Sequence, residues 1–252
     1  MTAEPEIPSA IGSLLAELSW SGSTIREYRR GGRGFENVLT AEVLQALDLL
    51  PRGHFLGEVV ARTHGAVEAR DTLVREAESV RFKLLPGDHY LRPSASSHQT
   101  RVPVQPDAIL ESPSAYVIVE AKRLRRGSFQ PKQLAREYAL AIRNAASRLP
   151  VLLLLLPSPP PVPIRGMKPQ SVVDAIALHL QDVLDRSDGM CVSAAQALER
   201  VDEIVCWITW HEVLAALTDQ LAELQSLEPS IYGSMARMVG TVQSAIAWHS
   251  DG

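Results

Sequence analysis

Residues 102–122 read VPVQPDAILESPSAYVIVEAK, and the fold turns on how this stretch is laid out. Val102 to Leu110 and Ala115 to Lys122 are rich in β-branched and aliphatic side chains. Glu111-Ser112-Pro113-Ser114 between them is a turn signal, so the two runs form a hairpin. A turn centred between Ser112 and Pro113 pairs positions whose numbers add to about 225, which sets Gln105 opposite Glu120 and Asp107 diagonal to it on the same face. Period-two alternation puts Lys122 on that face as well. Val117-Ile118-Val119 is strongly apolar, so two carboxylates and an amine emerge where a buried strand ends. Two carboxylates a side chain apart make a seat for a hard cation, which takes oxygen ligands. Such a cation holds a phosphate oxygen and lowers the pKa of a bound water. A neighbouring lysine stabilises the developing charge or orients that water.

Outward from the hairpin, strands and helices alternate. On the N-terminal side Phe35, Val38, Leu39, Val43, Leu44 and Leu47 recur at helical spacing, and Pro51 stops that helix. His54 to Ala61 reads as a strand, Ala66 to Arg81 as a helix, and Phe82 to Leu91 as two short strands around Pro86-Gly87-Asp88. On the C-terminal side Gln130 to Leu149 is a helix and Val151 to Leu156 a buried strand. The proline-rich residues 157–163 form an extended loop. Helices are expected over Gln170 to Asp185, His211 to Leu227 and Ser230 to His249, with a strand over Glu203 to Thr209. The pattern specifies an α/β fold: a mixed sheet flanked by helices in three layers. Residues 1–34 read as an arm with one short helix around Ile11 to Leu18 and a flexible break at Gly31 to Gly34. Residues 35–210 read as the core, and 211–252 as a helical extension of the same domain.

Composition narrows the classes. The chain has 252 residues, of which 46% are hydrophobic and 21% charged, which excludes disorder as the main state. The longest strictly apolar run, Val151 to Leu156, is far short of the ~20 residues that span a bilayer. The acidic start, Met1 to Glu6, does not resemble a signal peptide, so a cytoplasmic protein without membrane partners is expected. Cys191 and Cys206 are too few for a disulfide framework and read as buried thiols. The histidines lack zinc spacing, the glycines at 31–34 lack the context of a nucleotide loop, and no serine sits in a nucleophile elbow. Aromatic residues are 5% of the chain, too few for base-stacking platforms. Net charge is −4, but Lys122 to Arg148 carries eight Lys and Arg against one acid, Glu137, a net +7. Segregated charge of this kind steers an anion to one face, although a charge run also serves as a plain solvated helix face.

Pro106-Asp107, then twelve residues, then Glu120-Ala121-Lys122 behind three β-branched residues resembles the motif of the PD-(D/E)XK nuclease superfamily, over roughly residues 35–156. The resemblance implies a restriction-endonuclease-like core and Mg²⁺-dependent hydrolysis of phosphodiester bonds, in DNA first, in defence, restriction or repair; Mn²⁺ is the expected substitute. It implies that Asp107, Glu120 and the upstream helix acid Glu36 are metal ligands, and that Lys122 acts on the attacking water or the phosphate. Gln133 resembles the glutamine that some subgroups place on the next helix, though it also reads as an ordinary exposed residue. The RecB-like subgroup has a tyrosine four residues after its glutamine, whereas Tyr138 lies five after Gln133. Arg123, Arg125, Arg126, Lys132 and Arg136 would grip the nucleic-acid backbone, and many relatives of this kind cut as dimers. The alternative is a non-catalytic nucleic-acid-binding or assembly subunit on the same fold, docking a protein through its C-terminal helices. On the bland reading Glu120 and Lys122 form a surface ion pair, worth ~0–1 kcal/mol. A third reading, an unrelated α/β scaffold, would be shown by Asp107 and Glu120 lying far apart.

Overall fold

A computed structural model describes residues 35–91, 102–124, 127–187 and 193–251. The expected arm and Cys191 fall outside the described residues. The hairpin forms from β5 (Ala108–Glu111) and β6 (Ala115–Ala121), but paired positions add to 227. The turn is therefore centred one residue later than expected, between Pro113 and Ser114. Ser112 sets it, taking the Ala115 amide on its hydroxyl at 3.0 Å and donating its own amide to Ala115 O at 3.0 Å. The extended run from Val102 is also broken. Its first part, β4 (Val102–Val104), leaves the main sheet and pairs with β3 (His89–Leu91) as a separate ribbon. Pro106, which cannot donate a ladder hydrogen bond, marks the break.

The main sheet has six strands in the order β1-β8-β7-β6-β5-β2, with β1 (His64–Gly65), β2 (Arg81–Leu84), β7 (Leu149–Leu156) and β8 (Val205–Thr209). The strands β6, β7 and β8 are parallel; β2–β5, β5–β6 and β1–β8 are antiparallel. Such a core is mixed, and it is covered on both faces, which is why β6 is buried at every position and β7 reads as unbroken Val and Leu from Val151 onward. On one side α1 (Phe35–Leu49), α2 (Phe55–Ala61), α3 (Val67–Arg75), α8 (Trp210–Glu223) and α9 (Pro229–Asp251) cover Leu110, Val117, Val119, Leu153 and Ile208. On the other, α4 (Gln133–Ala145), α5 (Val172–Asp185), α6 (Ala194–Glu199) and α7 (Val201–Ile204) cover Ile109, Ile118, Leu152, Leu154 and Leu156. No helix among the described residues is long and apolar enough to cross a membrane.

The stretch from His54 to Ala61 is a helix, not a strand. Phe55, Leu56, Val59 and Val60 are all buried; a strand would turn half of them outward, whereas spacings of one, four and five put them on one helix face. The expected helix from Ala66 to Arg81 stops at Arg75, so that Arg81 can join β2. Before β8, α6 and α7 occupy a stretch without a sequence-based assignment as far as Asp202, and the strand expected from Glu203 begins only at Val205 because Glu203 and Ile204 close α7; a capping box at Ser193 and Gln196 starts α6. β1 lies so close to β8 that a Cβ on Gly65 would sit 2.4 Å from the Val205 carbonyl, and its φ of 95° is a left-handed value.

Burial lowers the pKa of His249, near the end of α9, to about 4. A base with a depressed folded pKa is neutral in the fold while the unfolded chain takes up a proton below about 6.5. Stability from this group is therefore complete above about pH 6.5 and is lost as the pH falls towards 4. His249→Phe should gain stability relative to the native protein across that window, by at most about 1.4 kcal/mol per pH unit, in urea titrations at stepped pH. Parallel stability curves would show that the native imidazole is charged in the fold.

Candidate active site

The shifted register brings Asp107 level with Glu120, directly across the hairpin rather than diagonal to it. Two hydrogen bonds hold it there: the Asp107 amide donates to Val119 O at 3.1 Å, and Asp107 Oδ2 accepts the Ala121 amide at 2.7 Å. Gln105, expected opposite Glu120, instead donates its side-chain amide to Asp88. Asp107 and Glu120 thus stand together across the hairpin.

Lys122 ion-pairs with Glu120 Oε1, and the side chains are 6% and 2% exposed. This is a buried pair, not the surface pair of the bland reading. A buried pair loses more hydration than a surface one and depends on further hydrogen bonds. Gln133 supplies one, donating Nε2 to the same Glu120 oxygen at 2.5 Å. It is half-buried at the start of α4 and faces the motif strand instead of solvent. Glu120 Oε2 is buried without a hydrogen-bond partner among the described residues.

A cleft of about 200 Å³ opens beside these groups, lined by Asp107, Glu120 and Gln133 together with Asn37, Leu85, Gly87, Gln105 and Pro106. Lys122 does not line it; its ammonium stands behind Glu120. Asn37 brings the first turn of α1 to the cleft wall. Glu36 is the preceding residue of that turn, and its side chain lies outside the described residues. Arg125 and Arg126 lie outside them too. Of the remaining cations, Lys132 is bound to Asp182 at 2.7 Å, and Arg123 and Arg136 are half-buried.

Glu137 was read as the lone acid of a basic run, yet it is a member of this cluster. It lies one helical turn after Gln133, is 1% exposed, and reaches Glu120 from α4. Its spacing was the available signal: positions four apart on a helix share a face. Tyr138 turns away, donating its hydroxyl to Ala197 O at 2.5 Å. Burial pushes the Glu137 carboxyl up to about 7, against the opposing pull of its hydrogen bond to Glu120 and of Lys122. Burial, followed by Glu137 itself, also raises Glu120 well above its usual range, with Lys122 pulling it back. Like charges this close cannot both ionise cheaply, so ionising one carboxyl makes the other harder to ionise.

Among the described residues no three His, Cys, Asp or Glu side chains are arranged to hold one ion. The donor set is all oxygen, from two carboxylates. Comparisons of the chain with protein-family models, with curated proteins and with solved structures find no match.

Removing Lys122 leaves two glutamates facing each other in a buried space. Lys122→Met should cost about 3–5 kcal/mol at pH 8 without divalent cations, the usual cost of breaking a buried pair. The raised glutamate pKa values fix the sign of its pH dependence. At pH 5 both acids can be protonated cheaply, so the loss should shrink there. Chemical denaturation at the two pH values checks this, and an equal loss at both would mean that the lysine charge does not act on the acids.

Proposed function

We propose that this chain is a divalent-metal-dependent nuclease of the PD-(D/E)XK type, on a restriction-endonuclease-like core, with DNA as its first substrate. The observation that carries the reading is the placement of Asp107 directly across from Glu120, with Lys122 paired to it, at the carboxyl end of a buried strand beside an open cleft. The arrangement follows the resemblance in residue type, order and position. The oxygen-only donor set that Asp107 and Glu120 bring to the cleft fits a hard cation such as Mg²⁺ or Mn²⁺. Asp107 and Glu120 would hold it, joined by Glu36 from the helix turn beside Asn37. Bound there, the ion supplies charge neutralisation on a phosphate oxygen and a more acidic water. The chain's own residues do the rest. Gln133 fixes one oxygen of Glu120 so that the other stays available. Lys122, enclosed with Glu120 and outside the cleft wall, would act on the attacking water or the scissile phosphate through its field alone. Arg123, with Arg125, Arg126 and Arg136, would hold the backbone through phosphates, giving affinity that falls steeply with salt.

One observation favours a second reading. Lys122 is enclosed with Glu120 and does not line the cleft, which also suits a non-catalytic nucleic-acid-binding or assembly subunit on the same fold.

Incubation of the purified protein with supercoiled plasmid and Mg²⁺ or Mn²⁺ separates the two. The nuclease reading expects nicked or linear product, abolished by EDTA and reduced at least about a hundredfold in Asp107→Ala and Lys122→Ala. Retarded plasmid without nicking would favour the binding subunit. Undiminished cleavage by either variant would remove these residues from the chemistry.

A further inference from the structure

The proline-rich loop and the C-terminal helices fall outside the stretch of the family resemblance, and in the structure both converge on Lys122. Its amide donates to Leu155 O at 2.8 Å, and its carbonyl accepts the indole Nε1 of Trp210, the first residue of α8, at 2.7 Å. Trp210 is fully buried, so this bond is held where water does not compete. The ammonium lies 4.9 Å from the ring centroid of Phe129, within cation–π range. Phe129 is itself pinned by the strand-like segment after the prolines: its amide donates to Pro163 O at 3.0 Å, and its carbonyl accepts from the Arg165 amide at 2.9 Å. Gly127 completes the enclosure. A Cβ there would stand 2.8 Å from the Arg123 carbonyl and 3.2 Å from Lys122 Cβ, so only glycine lets the chain pass this close.

We infer that Phe129 and Trp210 are positioning residues for Lys122: two distant parts of the chain form a clamp that aims its ammonium at Glu120. The need is physical. Lys122 follows the last residue of β6, so beyond its own amide the sheet no longer fixes it. A lysine side chain has four rotatable bonds and loses most of its freedom only if it is enclosed. The aromatic face and the indole N–H supply that enclosure without adding a second charge that would compete for Glu120. Catalytic importance of the clamp rests on the nuclease reading; the positioning itself does not.

The test uses full-length protein and two variants, Phe129→Leu and Trp210→Phe. Each is treated with a small amine-acetylating reagent, and each lysine is followed by peptide mass spectrometry beside a melting curve. In the native protein Lys122 should react at least about tenfold more slowly than the exposed Lys83 and Lys168, as its burial requires. In both variants Lys122 acetylation should rise about tenfold while Lys83 and Lys168 keep their native rates. If the native protein cleaves plasmid, kcat should fall about tenfold in both variants with KM changed less than about twofold, the pattern of a group that matters in the transition state alone. An unchanged Lys122 rate in either variant overturns the clamp. A parallel rise at every lysine in both also overturns it, because the two aromatics would then be holding the fold rather than the lysine. Absence of plasmid cleavage by the native protein, with the labelling pattern as expected, would remove the nuclease reading and leave the clamp standing.

Discussion

The ion pair between Lys122 and Glu120 is the interaction around which the rest of the structure is arranged. Both partners are almost fully enclosed, and enclosing two charges forfeits several kcal/mol of hydration each, recovered only with good geometry and added hydrogen bonds. The fold provides these from every side: Gln133 on Glu120, Leu155 and Trp210 on the Lys122 backbone, and the Phe129 face under the ammonium. It then adds a third enclosed charge, Glu137, which opposes the pair rather than completing it. An apolar cluster of the same volume would be at least as stable. A site that keeps three interacting ionisable groups out of water, beside a cleft, has the pattern expected where pKa values are set for chemistry.

The layering explains why the pair sits where it does. With helices on both faces, β6 carries apolar side chains from Ala115 to Val119, and polar chemistry can begin only where the strand runs out. Parallel pairing aligns the ends of β6, β7 and β8, and in sheets of this kind ligands bind beyond the carboxyl ends of the strands. The break at Pro106 opens the space next to that end: it frees β4 from the main sheet and leaves Gln105 and Pro106 as a wall of the cleft. One proline thus separates the core hairpin from the two-stranded ribbon, with the cleft beside the break.

Much of this was legible in the sequence, and the parts that were not have definite causes. The hairpin, the parallel buried strand Val151 to Leu156 and the long helices declare themselves through apolar periodicity. The association of Asp107, Glu120 and Lys122 follows from alternation along the hairpin, even though the register was misplaced. That register depended on Ser112 capping the turn, a tertiary detail one residue wide. The stretch from His54 to Ala61 misled because eight residues satisfy either a strand or two helical turns; its packing against α3 and α8 decided for the helix. Glu137 was missed because an acid in a basic run reads as charge balance, and only the position of α4 shows that it points inward. The contribution of Trp210 and Phe129 could not be read at all, since it joins positions 88 and seven residues away through the fold.

The same packing revises what the basic run means. A net +7 between Lys122 and Arg148 suggests a continuous positive rail, but the structure uses much of it internally. Lys132 is tied to Asp182, which also takes Arg186 at 2.7 Å. Arg148 stacks 4.9 Å from the Tyr116 ring centroid and lies 3.8 Å from Glu111. Lys122 is committed to Glu120. Arg136 Nε and Arg143 Nη1 are buried, so only part of each guanidinium faces outward. Charge counted along a sequence is therefore not the field at the surface.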